Sequence, residues 1–598
     1  MKKLIALVAA GLLCGATFAT AQDVDLAALK AQIAELQTKV DAMSKDMTKM
    51  QQHTVTDKVS LGVEFMTKLD STQYKDVRGL PAFASDMMSL WLSDSLAQKT
   101  GTSSTSNSTW DTAIVSGSNT DGWNDAFMNK YANDFGKVLQ DPNIVSKLNN
   151  MGSSNYMDTF ASMLSSREVP AQYLDALKTT FNAIKPRKYD TNNDYMLTER
   201  LRVRMSSKVN ENVSFTGRLV MYKTFGDTTP FHFFNGTMGS MNMDANSAQM
   251  PTDDGIHVER AYFVYANNIG SVPYHFSLGR RPAAYGAGME NHENAVLGGS
   301  PVASIIQMNF DGGSLGFDLE ELTGIPGLNL KFCYGQGFEG QYGTLNSLNA
   351  VNDVNDVHFR GFILKAFDND KYKVWYNYAN GLGLTDGFIG TVVLPFYITG
   401  NDYNLDGKYD TYTLNPNYGG FVSRVEPMSK VGDIQLHTVM VQGNTFGFNW
   451  FGSYSMSKTD PSGSSKNPMY QFMGQDKMFD GTGHMVWLGV MTPELPFTKG
   501  KLGVEYNHGS KYWQPFMLTT DSMKLATRGD VYEVYYHQPI VGDNFFATIG
   551  MMYQDYKYTN SGSFLGEPVE IDKATAFNTM MPVVDKVTNY YMKLTYRY

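Results

Sequence analysis

The chain has 598 residues, a formal net charge of -10 and 13% aromatic residues, with Tyr and Phe at 35 each. That charge argues against a nucleic-acid binder, because no basic surplus meets phosphates. A mean hydropathy of -0.30 does not suit a helical membrane protein, and no later run approaches the roughly 20 continuous apolar residues that a membrane helix needs. Low hydropathy with many aromatics suits strands in which only every second residue faces lipid.

Taken in chain order, Lys2, Lys3, the apolar run Leu4–Leu13 and Ala19-Thr20-Ala21 read as a secretory signal over residues 1–21, with a mature start at Gln22. Leu13 before Cys14 fits a lipidation site poorly, so Cys14 is expected to leave with the signal. Cys333 then has no partner for a disulfide or a cysteine metal site. Next come Leu26, Leu29, Ile33, Leu36, Val40, Met43, Met47 and Met50, spaced alternately 3 and 4 apart. This is a heptad seam of about four heptads, predicting a periplasmic coiled coil over residues 22–55. Such a rod would be roughly 40 Å long. Self-association, as a homotrimer, is the expected use; a single amphipathic helix lying on another surface is the plainer alternative.

From Asp57 the period changes to two. Val59, Leu61, Val63 and Phe65 alternate with polar residues, as do Leu197, Leu201, Val203 and Met205, and Phe545, Ala547, Ile549, Met551 and Tyr553. The pattern predicts an all-β transmembrane barrel of about 16 antiparallel strands, lipid outside and water inside. Strand starts are expected near residues 57, 194, 211, 255, 271, 303, 326, 356, 370, 431, 444, 482, 500, 527, 542 and 586. Short turns alternate with long loops, the parity of outer-membrane barrels, which keep short turns on the periplasmic side. The barrel is thus expected over 56–68 and 190–598, with a helical insert at 69–189 that either caps the outer end or plugs the lumen. The region 303–325 could hold an extra short strand. The final alternation through Tyr590, Met592, Leu594, Tyr596 and Tyr598 looks like the C-terminal signal read by the barrel assembly machinery.

The stretch Leu197–Asp227, LTERLRVRMSSKVNENVSFTGRLVMYKTFGD, with GRRP at Gly279–Pro282 and SPVASIIQMNFDG at Ser300–Gly312, resembles an uncharacterised family of Gram-negative outer-membrane proteins, a domain of unknown function. The resemblance covers residue 190 to the end and implies a barrel in the outer membrane, in contact with its lipid and lipopolysaccharide. It implies no activity. The chain departs from it in the long separation of its first two strands.

Two constellations carry chemistry. Asp402, Asn404, Asp406, Lys408 and Asp410 lie in the loop 380–430 as D-x-N-x-D-G-x-x-D, with Lys408 offering its carbonyl. Alternating oxygens around a tight glycine turn suit Ca²⁺. The twelfth position is Thr413, so the bidentate carboxylate of an EF-hand is missing, and an Asx-rich turn without metal is the alternative. Asp190-x-Asn192-x-Asp194 lacks the glycine and reads as loop. Secondly, Arg200, Arg202 and Arg204 share one face of one strand, Arg218 has the inward phase on the next, and Arg281 and Arg360 are expected inward too. Stacked lumen arginines either set a field for anionic solutes or pair with acidic residues of an infolded loop. The facing of Arg260, next to Glu259, is ambiguous. His292 lies near Glu290 and Glu293 in a loop, and no histidine pair has metalloprotease spacing. The expected function is a non-enzymatic, porin-like channel for small hydrophilic solutes, anions among them. The alternative is a structural barrel whose insert binds an extracellular partner.

Overall fold

The computed structural model describes residues 59–79, 141–150, 171–225, 255–281, 283–295, 298–299, 301–338, 356–386, 390–393, 396–401, 411–416, 422–425, 429–466, 470–471, 474–517, 523–579 and 582–598. The signal segment, the heptad seam and the Asp402–Asp410 motif lie outside them.

Sixteen strands close into one antiparallel barrel. They are β1 (Val59–Gly79), β2 (Arg187–Lys208), β3 (Val213–Phe225), β4 (Ile256–Ile269), β5 (Val272–Arg281), β6 (Phe310–Asp318), β7 (Asn329–Phe338), β8 (Val357–Asp368) and β9 (Tyr372–Thr385). After a loop excursion follow β14 (Lys430–Thr445), β15 (Phe448–Pro461), β16 (Thr482–Met491), β17 (Lys501–Gly509), β18 (Gly529–Val541), β19 (Phe545–Tyr556) and β20 (Lys586–Arg597). The excursion holds β10 (Gly390–Val393) paired with β13 (Val422–Val425), and β11 (Phe396–Asn401) paired with β12 (Thr411–Pro416). Closure is by β1 on β20, from Glu64 opposite Arg597 to Lys75 opposite Lys586.

The period of two builds the wall. On β18, Val531, Glu533, Tyr535 and His537 point inward and are buried, while Tyr532 and Val534 are exposed on the outer face. Phe263, Leu278, Phe332, Leu488 and Ile549 continue that exposed apolar face around the barrel, the arrangement lipid requires. Tyrosines share hydrogen bonds with neighbouring histidines there, Tyr334 Oη with His358 Nδ1 at 2.8 Å and Tyr454 Oη with His484 Nδ1 at 2.7 Å.

Three expected boundaries shift. The first strand runs on to Gly79 and the second begins at Arg187, because Lys75 bonds Asp190 at 2.7 Å and the Asp76 amide bonds the same carboxylate at 3.0 Å. The Asp190–Asp194 run, expected as loop, is therefore strand. The sixth barrel strand begins at Phe310 rather than near 303, and 303–309 belong to an infolded segment.

Of the insert, the structure describes two helices, α1 (Pro142–Asn150) and α2 (Ala171–Asn182), joined by Lys147 to Asp175 at 2.8 Å. The C-terminal end of α2 and the residues just after it dock on the long loop between β19 and β20. The Ala576 amide donates to the Ile184 carbonyl at 3.0 Å, and Thr575 Oγ1 to Asn182 Oδ1 at 2.8 Å.

Candidate channel interior

The described residues between β5 and β6, 283–295, 298–299 and 301–309, fold into the lumen. The segment touches nearly every side of the wall. The Val302 amide donates to Asn377 Oδ1 of β9 at 2.6 Å. Ser304 meets Thr438 of β14 and Ser455 of β15 at 3.2 and 2.9 Å. Gln442 donates to Glu290 at 3.2 Å. Arg597 of β20 donates to the Asn294 and Glu293 carbonyls at 3.1 and 3.0 Å. Gly288, at φ +98°, lies against the Trp487 ring; any Cβ there would run into the indole. A second outer segment meets the first, the Gln307 amide bonding the Phe516 carbonyl at 2.7 Å.

Together they fill much of the lumen with apolar contacts. Met289, Ile305, Ile306 and Met308 of the segment join inward-facing Leu436, Met440, Phe451 and Trp487 of the wall in one buried cluster. Phe451 and Trp487 stack edge to face at 4.5 Å.

Four of the six predicted arginines, Arg200, Arg202, Arg204 and Arg218, enter an ionic lattice with Glu64 and Glu259. Glu64 of β1 is fully buried and accepts from Arg200 at 2.9 Å, Arg202 at 3.0 Å, Arg597 at 2.8 Å and the half-exposed Arg204 at 3.4 Å. Glu259 of β4 accepts from Arg202 at 3.0 Å and from Arg218. The acidic partners lie mainly on neighbouring strands; from the infolded segment, Glu293 approaches Arg200 at 4.0 Å. Tyr285 of this segment contacts two of the arginines, its ring lying 4.8 Å under the Arg202 guanidinium and its hydroxyl accepting from Arg200 Nη1 at 3.4 Å. A β-bulge settles Arg260: Arg218 pairs with Arg260 and Leu219 with Val258, so Glu259 is the extra residue and shares the inner face with Arg260.

Arg360 corrects the inward expectation. Phe359 and Gly361 hold the inward phase of β8, Phe359 packing on Phe310 and Phe516 at 4.7 Å. Arg360 therefore shares the outer face with His358 and Phe362, and is exposed. Arg281 does face inward, where Nη2 donates to Ser314 Oγ at 3.0 Å, Nη1 donates to Ser277 Oγ, and Tyr262 lies 4.9 Å away under the guanidinium.

Strands β16 to β18 carry a second lattice that sequence reasoning missed. Lys524, in the loop before β18, donates to Glu505 at 2.7 Å and to Glu533, while Trp487 and Tyr535 donate to Glu505 at 3.0 and 2.9 Å. His292 joins the two lattices, 3.2 Å from Glu533 and 3.0 Å from Glu293. Burial and Lys593 oppose charging of His292, but Glu533 and Glu293 outweigh them and raise its pKa above the usual histidine value. Burial likewise opposes ionisation of Glu293, yet the hydrogen bond from His292 and the nearby Lys593 and Arg200 hold its carboxyl well below the ordinary range. Among the described residues no group of three or more His, Cys, Asp or Glu is placed to hold a metal ion.

Fold and interior define a sixteen-stranded barrel of porin architecture, narrowed by an infolded loop. The chain belongs to the family described as "Protein of unknown function (DUF3373)", whose model matches residues 190–598. No curated protein matches the sequence. Among solved structures, the chain is similar to Pseudomonas putida OprB at 7% identity, over 92% of this chain and 97% of that one, with a TM-score of 0.38. It is similar to Salmonella typhi OmpF, solved with daunomycin, at 10% identity over 69% and 92%, TM-score 0.34. For the anion-selective porin of Comamonas acidovorans the identity is 10%, over 68% and 93%, TM-score 0.33. Likenesses this distant carry no solute or assembly over to this chain.

Proposed function

We propose that the protein is a porin-like outer-membrane channel, not an enzyme, that passes small hydrophilic solutes by diffusion and favours anions. One observation carries this reading. Along β5 to β8 the inward-facing His275, Arg281, Lys331 and Lys365 stay partly exposed, while inward residues of β14 to β20 are largely covered. Lys365 is bridged to Asp368 at 3.0 Å, but Arg281 is held by serine hydroxyls rather than by a carboxylate. A lane lined by incompletely compensated cations favours anions by the electrostatics that set selectivity in other pores. The heptad seam from Leu26 to Met50 supports assembly as a homotrimer.

Planar-bilayer recording in a salt gradient tests the reading. The expected result is a steady conductance with an anion-selective reversal potential, displaced toward cations in Lys331→Glu. Absence of conductance from folded full-length protein overturns it. The apolar filling of the lumen favours a second reading, a closed barrel whose insert binds an extracellular partner. A folded barrel that passes no current with or without residues 80–186 belongs to that reading.

A further inference from the structure

Three basic side chains meet on the inner face of β6 at Gly316. By the register, His275 of β5 stands opposite Gly316 on one side and Lys331 of β7 on the other. The missing side chain brings these two together, because a Cβ at Gly316 would run into the His275 ring at Cε1 and Nε2. The imidazole therefore lies over Gly316 and leans toward β7. Arg281 closes the third side. Its Nη2 donates to Ser314 Oγ at 3.0 Å, and Ser314 is two residues from Gly316 on β6. Neighbouring strands lie about 4.8 Å apart and alternate residues of one strand about 7 Å, so the three groups surround one spot on the wall.

This cluster lacks a neutralising acid. Among the described residues, the side chains of His275 and Lys331 have no ion-pair or hydrogen-bond partner. Arg281 commits two of its five donors, to the Ser277 and Ser314 hydroxyls. The charges acting on His275 are those of Lys331 and Arg281, and those acting on Lys331 are Arg281, Lys365 and the Cys333 thiol; no carboxylate acts on either. Asp318 shares the inner face two residues beyond Gly316, but its Oδ1 accepts from the Glu320 amide at 3.1 Å. Like charges gathered in a half-buried place repel unless a counter-charge joins them, and a mobile anion supplies one.

Shape decides which anion. A carboxylate offers two oxygens in one plane, enough for a guanidinium fork but not for donors on three sides. A phosphate group offers three oxygens and a charge of about -1.5 to -2 at neutral pH, which matches one guanidinium, one ammonium and one imidazole N–H. Its fourth bond then points away from the wall, into the lumen.

We infer that the inner wall at Gly316 binds the phosphate group of small solutes, free phosphate or a phosphate monoester, with Arg281, His275 and Lys331 each meeting one oxygen. The inference deepens the channel reading by naming a solute class, and rests on it only for access to the lumen.

Inorganic phosphate and glycerol phosphate are the probes and acetate the control, titrated by calorimetry into full-length protein folded in detergent. About 0.1 M chloride in the buffer screens diffuse counter-ion effects. Saturable binding of phosphate, as the free ion or the ester, is expected, with acetate at least about ten-fold weaker. Lys331→Gln and Arg281→Gln should each lose about ten-fold or more in affinity. Arg360→Gln, on the outer face, should bind as wild type does. Should the first two variants fail to fold, His275→Gln serves, with a smaller but measurable loss. No saturable binding of either phosphate, equal binding of acetate, or binding unchanged in the inner-face variants overturns the site. Tighter binding of the ester or of the free ion sustains it and says which solute it takes. Binding without conductance sinks the channel reading and leaves the site standing; conductance without binding does the reverse.

Discussion

Replacing Glu64 by Gln removes one charge and leaves the shape of the side chain almost unchanged. Four arginines lose their shared carboxylate, but not equally. Arg204 is 46% exposed with a 3.4 Å contact, and its share is screened by solvent to below about 1 kcal/mol. Arg202 keeps Glu259 at 3.0 Å. Arg597 keeps two carbonyls of the infolded segment. Arg200, only 7% exposed, is left with Glu293 at 4.0 Å and the neutral Tyr285 hydroxyl at 3.4 Å. Breaking a buried pair from one side costs about 3–5 kcal/mol, and the surviving partners of Arg202 and Arg597 place the expected loss toward the lower end of that range. The assay is urea unfolding of the refolded barrel, followed by the mobility difference between folded and boiled protein on a gel. The double variant Glu64→Gln/Arg200→Met should recover part of the loss, because it removes the charge left unpaired. A single-variant loss under about 1 kcal/mol would refute the view that Glu64 neutralises a desolvated cluster.

The remaining predictions address the loops. Removing residues 80–186 and joining Gly79 to Arg187 by a short turn should keep or raise the conductance, since the described helices dock on the outer loop around Thr575 and Ala576; lost current in a folded barrel would place the insert in the solute path. The His292 link between Glu293 and Glu533 gives a signed pH dependence. Its folded pKa is raised above 6.5, so the stability it adds is fully present below about pH 6.5 and fades as pH rises through the folded value. The Glu293 contribution, with a lowered pKa, is present above about pH 4.5 and fades on acidification. Wild type and His292→Gln should therefore differ more in thermal midpoint at pH 5.5 than at pH 8.5, and an equal gap would remove His292 from the latch. For the Asp402–Asp410 loop, Ca²⁺ titration should reveal a weak site with Kd of about 0.1–1 mM that Asp406→Asn abolishes; no calcium-dependent heat would leave the loop an Asx-rich turn.

The wall was legible because its signal is local. Alternation and the rhythm of short turns and long loops place all sixteen barrel strands, and where polar and apolar residues alternate strictly, as in Leu201, Arg202, Val203 and Arg204, they also give the facing. The method loses phase where both faces are apolar or where the ladder slips. On β8, VHFRGFILKAFD has apolar residues in both phases, so a period of two does not fix the face of Arg360. On β4 a bulge turns two successive residues, Glu259 and Arg260, to one side, which a fixed period of two cannot express. SPVASIIQ looks like a strand to any local test, which moves the expected start of the sixth strand ahead of Phe310; its Val302, Ile305 and Ile306 are instead satisfied by the inner wall.

Partners were less legible than faces, for a reason that bears on selectivity. A run of inward arginines is visible in one strand, but Glu64 and Glu259 stand on other strands, and only closure of the barrel brings them to Arg202. Once paired and buried, those arginines present little net field to a solute, because each cation ends within hydrogen-bond reach of a carboxylate. In the proposed channel, selectivity would then rest on charges that stay incompletely compensated and reach solvent. On this barrel those stand on β5 to β8, as Arg281, Lys331 and Lys365. It follows that neutralising Arg202 should disturb folding far more than reversal potential, and that charge reversal at Lys331 should do the opposite. A matched pair of such variants separates the charges that hold the wall together from those that meet the solute, and similar effects of both on selectivity would collapse the distinction.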